Sequence, residues 1–349
     1  MAYAELRMTD HRGRNSVDHP LVTFALFAYN QEKYIREAIE GAFSQTYEPL
    51  EIILSDDCST DKTYEIMKQM VASYDGSNKI VLRKNEINLG ILEHVRRVAK
   101  EASGRVMILA AGDDISLPHR VEVIVREWSD GLRAVHSLFY FIDSLGDIVD
   151  IKKSIEYEIK NRFNWLKYRG DFVYGASSAY DLEYLRNLPF CNKKILSEDS
   201  PLSIMLYLGN CESKLIREKL IKYRIHDESV SNSRAVYGSI SNIIRMEMRQ
   251  RRKFISEVDL MIYIRDRIIP MYPNSLCKID LRKLDLYIDA IRAKAAWDTL
   301  GLGQRLRQVV CSKGRLRKWM MARIMGDFIY AFMKYVYLRA RGTGSEWGK

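Results

Sequence analysis

The chain has no run of about 18 uncharged apolar residues, so no segment reads as a bilayer-spanning helix. Met1 to Pro20 has no apolar core either; with Asp10, His11, Arg12 and Arg14 it reads as a lead-in (residues 1–19) rather than a signal peptide. Cysteine is scarce: Cys58, Cys191, Cys211, Cys277 and Cys311 form an odd set without paired metal spacing, which fits a reducing cytoplasm. Glycine-rich phosphate loops are missing as well, since Gly301 and Gly303 are followed by Leu306 instead of the third glycine of a dinucleotide fingerprint. No internal repeat, low-complexity linker or nucleic-acid motif is present. Acidic charge is in deficit: 55 Lys and Arg face 45 Asp and Glu, a net charge of +10. Such an excess suits nucleic acid, anionic lipid or phosphorylated acceptors. Without a nucleic-acid motif, a membrane surface is the preferred reading and no nucleic-acid partner is expected.

Within 349 residues, enough for one large domain and an added module, apolar runs alternate with amphipathic stretches. Leu21–Phe27, Leu50–Ser55, Ile80–Leu82 and Val106–Ala110 read as strands. Between them, Ile35, Ala38, Ile39, Ala42 and Phe43, then Ile66, Met67, Met70 and Val71, then Leu92, Val95, Val98, Ala99 and Ala102 fall at helical spacing. Asn30 is the expected N-cap of the first helix, and Ser59 or Thr60 of the second. Strands alternating with helices predict an α/β fold with a doubly wound, mostly parallel sheet flanked by helices.

Two acidic clusters follow strands: Asp56-Asp57 after the second, and Gly112-Asp113-Asp114 after the fourth. Carboxylates at the carboxyl ends of parallel strands sit where such sheets bind ligands, and paired hard oxygens suit Mg²⁺ or Mn²⁺ carrying phosphates. Solvated turns that cap the next helix are the plainer alternative. Glu198-Asp199 before Pro201 and the apolar Leu202, Met205 and Leu206 reads equally as capping charge on a helix N-terminus or as a catalytic pair.

The ordered set Phe27-Ala28-Tyr29-Asn30, Ser44-Gln45-Thr46-Tyr47, Ser55-Asp56-Asp57-Cys58-Ser59-Thr60-Asp61, Asn88-Leu89-Gly90 and Gly112-Asp113-Asp114 resembles the family 2 glycosyltransferases of the GT-A fold. The likeness is strong over residues 20–130 and extends more weakly to about 235 through Ser197-Glu198-Asp199 and Tyr223-Arg224-Ile225-His226-Asp227-Glu228-Ser229-Val230-Ser231. One departure is Ala111, where many members carry an acid two positions before Asp113.

The resemblance implies an inverting transferase that moves a sugar from a nucleotide-diphosphate donor to a hydroxyl of a glycan acceptor. Asp199 would be the general base and Glu198 a positioning residue. Phe27, Tyr29, Asp57, Asn88 and Asp113 would bind the nucleotide, with Asp57 accepting from a pyrimidine N–H. Asp114, Asp113 and His226 would serve a Mn²⁺ or Mg²⁺ ion, Asp114 as the direct ligand, and Lys222 or Arg224 would neutralise phosphate. Val173-Tyr174-Gly175-Ala176-Ser177-Ser178-Ala179-Tyr180 resembles the lining of the acceptor and donor-sugar pocket. A UDP- or dTDP-sugar is favoured and a GDP-sugar remains open. The implied acceptor is a glycan or lipid-linked glycan of bacterial surface polysaccharide (O-antigen or capsule) assembly, at the inner face of the cytoplasmic membrane. Nucleotidyl transfer to a sugar phosphate and non-catalytic nucleotide-sugar binding are the alternatives.

Residues 20–235 therefore form the expected catalytic domain, divided near 130 into a nucleotide-sugar half and an acceptor half. Residues 236–349 are a basic helical region. Its last stretch carries Trp319, Met320, Met321, Ile324, Phe328, Ile329, Phe332 and Val336. Arg323, Asp327 and Lys334 share a polar stripe opposite Met325, Phe328, Phe332 and Val336, a pattern suited to a membrane interface, to packing on the catalytic domain, or to a second subunit.

Overall fold

A computed structural model of the chain describes residues 19–149, 173, 175–226, 240–311, 314–323, 325, 330, 333 and 334. The lead-in before residue 19, Tyr174, Asp227–Ser231, the predicted boundary near 235, and Ile324, Asp327, Phe328, Phe332 and Val336 lie outside them.

The amino-terminal half alternates as its periodicity predicts: β1 (Val22–Ala28), α1 (Ile35–Phe43), β2 (Leu50–Asp56), α2 (Thr63–Ala72), β3 (Lys79–Lys84), α3 (Ile91–Glu101) and β4 (Val106–Ala111). A short β5 (Ile115–Ser116), α4 (Arg120–Glu127), β6 (Leu132–Ile142), β7 (Ser178–Asp181), α5 (Leu182–Arg186), α6 (Asp199–Leu208) and β8 (Glu212–Arg224) follow. They form one eight-stranded sheet in the order β3-β2-β1-β4-β7-β6-β8-β5. The first four strands are parallel, β7 runs antiparallel to both β4 and β6, and β6 pairs in parallel with β8.

Strand alternation sends successive side chains to opposite faces, so both faces of β1, β2 and β4 must be apolar. Phe24, Leu26, Ile52, Leu54 and Ile108 share one core with α1, α2 and α4. Ala25, Phe27, Ile53, Met107 and Leu109 share the other with α3, α5 and α6. Into that second core pack α7 (Ile240–Tyr263) and α8 (Leu281–Ala295), through Leu260, Met261, Leu284 and Ile288. The basic helical region thus completes the sheet's own core. It continues into α9 (Leu302–Cys311) and α10 (Gly314–Ala322), and no helix among the described residues is long and apolar enough to cross a membrane.

Several local expectations are corrected. Helix α1 starts at Ile35, not next to Asn30; Asn30 has φ 52° and its Oδ1 accepts from the Thr60 N–H at 2.8 Å, so it ties the β1 loop to the β2 loop. Neither Ser59 nor Thr60 caps α2, which begins at Thr63; Asp61 accepts from the Thr63 N–H at 3.0 Å, and Ser59 Oγ instead accepts from Asn30 N. Arg323 is buried rather than on a polar outer stripe, paired with Glu247 at 3.0 Å, and Lys334 reaches the same carboxylate at 3.6 Å.

Candidate active site

Register places the ends of three parallel strands level. Ala28 pairs with Asp56 and Phe27 with Ala111, so Tyr29, Asp57 and the Gly112–Asp114 turn leave the sheet along one carboxyl edge. Main-chain bonds fix that edge: Asp57 N donates to Ala28 O and Gly112 N to Phe27 O, both at 2.9 Å. The Phe27 ring lies in the core, edge-on to His94, so Phe27 offers the crevice only backbone; Tyr29 stands 46% exposed at its mouth.

Asp57 is nearly buried and organises the loop beside it. Its Oδ1 accepts from Asn85 Nδ2 at 2.8 Å and Leu89 N at 2.9 Å, and its Oδ2 from Gly90 N at 2.9 Å. Gly90 has φ +78°, and a Cβ there would lie 3.0 Å from Lys194 Cα, which explains the glycine of Asn88-Leu89-Gly90. Asn88 is half-buried in this loop. Behind Asp57 runs a buried polar chain: Arg83 donates to Asn85 Oδ1 at 3.0 Å and to Ser55 Oγ at 2.7 Å, and Ser55 Oγ also bonds His94 Nε2. Burial pushes His94 down to about 4, the nearby Asp57 charge opposing, so the imidazole is neutral. Arg83, Asn85 and His94 were not singled out from the sequence. They lie outside the recognised motifs; the pairing of β2 with β3 brings Arg83 and Asn85 under Asp57, and the packing of α3 on the sheet brings His94 to Ser55.

The two carboxylates after β4 face different surroundings. Asp113 Oδ2 lies 3.1 Å from His226 Nε2, their side chains 18% and 8% exposed. Asp114 turns inward, its Oδ1 accepting from Arg224 N at 2.8 Å, while its buried Oδ2 has no hydrogen-bond partner among the described residues. Burial, and then the Asp113 charge, pushes Asp114 well above the usual carboxylate range, with Arg120 and Arg224 opposing. The structure therefore brings His226 to Asp113 and not to Asp114. At Gly112 a Cβ would meet Gln31 Oε1 and lie 3.0 Å from Ile35 Cδ1, so a larger residue would require these side-chain ends to shift.

Arg224 is fully buried, so it is not a free phosphate-binding cation. It donates to Asp113 O at 2.9 Å and to Asp143 O at 3.2 Å, and pairs with Glu37 at 2.9 Å. The Tyr34 ring sits between it and His226, 4.8 Å from the guanidinium carbon and 4.7 Å from the imidazole centroid. Tyr34 and Glu37 are site residues that the sequence reading missed; on α1's first turn they look like ordinary helix-start residues.

Asp199 opens α6. Its Oδ1 accepts from Ser197 Oγ and, at 3.1 Å, from Ser200 Oγ. Glu198, half-buried, lies so close to the Cα of Gly175 that a Cβ there would collide with its carboxylate. Burial, and then Asp199, pushes Glu198 up to about 7. Arg120 links this side to the β4 turn, donating from one nitrogen to Leu109 O at 2.8 Å and to Ala176 O at 3.0 Å. Among the described residues no cluster of three or more His, Cys, Asp or Glu could hold a metal. Asp113 and His226 could offer two donors to an ion that completes its shell with phosphate and water.

A sheet whose first four strands are parallel, with Asp57, Asp113 and His226 gathered at their carboxyl edge, matches a GT-A frame. The family model for glycosyl transferase family 2 matches residues 23–188. An uncharacterized glycosyltransferase of Methanocaldococcus jannaschii, MJ1057, is 31% identical over 215 residues, 60% of this chain and 72% of that protein. The chain belongs to glycosyl transferase family 2. It also matches the Escherichia coli UDP-Glc:alpha-D-GlcNAc-diphosphoundecaprenol beta-1,3-glucosyltransferase WfaP, 35% identical over 94 residues, 27% of this chain and 36% of that one. In fold it is similar to the mannosyltransferase PcManGT of Pyrobaculum calidifontis, solved with GDP-Man and Mn²⁺: TM-score 0.50, 16% identity, covering 91% of this chain and 88% of that one.

Proposed function

We propose that this glycosyltransferase moves one sugar, with inversion, from a nucleotide-diphosphate donor to a hydroxyl of a glycan acceptor. The single observation that carries the reading is the Asp113–His226 pair beside the loop that Asp57 organises. Asp57 holds the Asn88-bearing loop and, with three of about four acceptor positions used, keeps one on Oδ2 for an imide N–H of a uracil or thymine base. Tyr29 flanks the base. A UDP- or dTDP-sugar fits this contact best, and a GDP-sugar is the second choice.

Asp113 and His226 would hold Mn²⁺ or Mg²⁺, and Asp114, fixed on Arg224 N, would support the turn rather than ligate. The ion when bound neutralises charge that develops on the diphosphate leaving group. Asp199 takes the proton of the attacking hydroxyl as its oxygen bonds the anomeric carbon and the bond to the diphosphate breaks. Ser197 and Ser200 orient Asp199; Glu198, pushed up to about 7, carries only part of a negative charge next to it near neutral pH.

The acceptor we favour is lipid-linked, in bacterial surface polysaccharide assembly on the cytoplasmic face of the membrane. WfaP, whose name gives a diphosphoundecaprenol-linked acceptor, supports this choice. The test is nucleoside diphosphate release from UDP-, dTDP- and GDP-sugars with Mn²⁺ or Mg²⁺. Metal-dependent release from one donor, lost in Asp113→Ala, supports transfer; pyrophosphate as product would instead mean nucleotidyl transfer.

A further inference from the structure

Helix α9 carries its apolar residues on the outside. Leu302, Leu306 and Val310 recur every fourth position, one stripe of a helix, and are 53%, 47% and 72% exposed. A helix that packed this stripe into the core would bury it. The stripe lies in a stretch of one charge sign: residues 299–326 carry seven Lys or Arg and no Asp or Glu. Arg307, Arg317 and Lys318 are exposed beside it. Arg317 also donates to Val310 O at 2.8 Å, which ties α10 to the end of α9, so the cations and the stripe belong to one packed unit. Arg307 and Lys318 make no ion pair among the described residues. By contrast the cations that face inward, Arg323 and Lys334, are both matched by Glu247.

We propose that the α9–α10 unit is a docking surface for an anionic lipid bilayer, with Leu302, Leu306 and Val310 entering the interface and Arg307, Arg317 and Lys318 meeting the headgroups. Charge complementarity selects this occupant. Apolar side chains alone would suit any greasy partner, but an acid-free stretch with Arg307, Arg317 and Lys318 exposed is matched by a surface of uniform negative charge. The docking deepens the reading of a lipid-linked acceptor and rests on it only for its use, which is to hold the crevice near a substrate confined to the membrane.

The experiment is co-flotation of the full chain with phosphatidylcholine vesicles containing 30 mol% phosphatidylglycerol, against pure phosphatidylcholine, at low and high salt. Binding to the anionic vesicles that falls with salt is expected. The triple variant R307Q/R317Q/K318Q should weaken it on the order of a hundredfold, each charge near the surface being worth about fivefold. Leu302→Ser with Leu306→Ser should weaken it with the charge unchanged. Equal binding to both vesicle types, no binding, or binding untouched by either variant overturns the proposal. So does a dimer in vesicle-free solution that the Leu→Ser pair dissociates, because the stripe would then cover a second copy. Donor hydrolysis, measured in parallel without vesicles, should be unchanged in both variants and reports separately on the transferase reading.

Discussion

The Oδ2 of Asp113 and the Nε2 of His226 lie 3.1 Å apart although 113 residues separate them in the chain. The turn after β4 and the end of β8 meet there, and the contact divides two adjacent carboxylates between two tasks. Asp113 faces the crevice; Asp114 is spent on the backbone of Arg224.

If that division holds, Asp113→Ala and His226→Ala each lower kcat/KM for donor turnover by at least about a hundredfold while leaving thermal unfolding almost unchanged. Asp114→Ala should instead lower the melting temperature clearly, because the buried Arg224 N–H loses its acceptor and the buried Arg120 guanidinium loses the carboxylate beside it. Chelator treatment should mimic Asp113→Ala and be reversed by Mn²⁺ or Mg²⁺. Steady-state kinetics with differential scanning calorimetry separates the two carboxylates.

Asp199→Asn keeps the Ser197 and Ser200 hydrogen bonds available but accepts no proton. The expected result is a fall in kcat on the order of 10²- to 10⁴-fold with donor affinity by calorimetry held within about twofold. Full activity in this variant would remove Asp199 from the mechanism.

Asp57→Asn places an NH₂ group where one of the Leu89, Gly90 or Asn85 donors now lands. At least one buried donor then lacks an acceptor, at a cost of about 1–3 kcal/mol in urea unfolding. Donor KM should rise more than kcat falls, since the loop that carries Asn88 loosens.

His94 gives a pH signature. Its folded value, about 4, lies below the unfolded value of 6.5, so between these the unfolded chain binds more protons and stability rises with pH. The contribution is about 3 kcal/mol, complete above pH 6.5 and lost as the pH falls toward 4. Denaturant unfolding from pH 7.5 to 4 should show that slope, and His94→Gln should flatten it. An equal slope in the variant would mean that other groups carry it.

The sequence by itself determined the alternating elements and the edge where chemistry gathers. Runs such as Leu21–Phe27 and Val106–Ala110 must be buried on both faces, so helices must cover both faces, and Gly112 and Gly90 mark turns where the structure leaves a Cβ little or no room. Those signals are local: each rests on side-chain volume and backbone freedom within a few residues. Only the tertiary structure decided which carboxylate meets His226, why Arg224 is not free for phosphate, and that Asn30 ties two loops instead of capping a helix. It also decided that Arg83, Asn85 and Tyr34 belong to the site and that Arg323 is buried. Each of these depends on the direction of a side chain leaving a turn and on a partner dozens of residues away or more, a choice made by the packing of the sheet and its helices and not by the nearest neighbours in the chain.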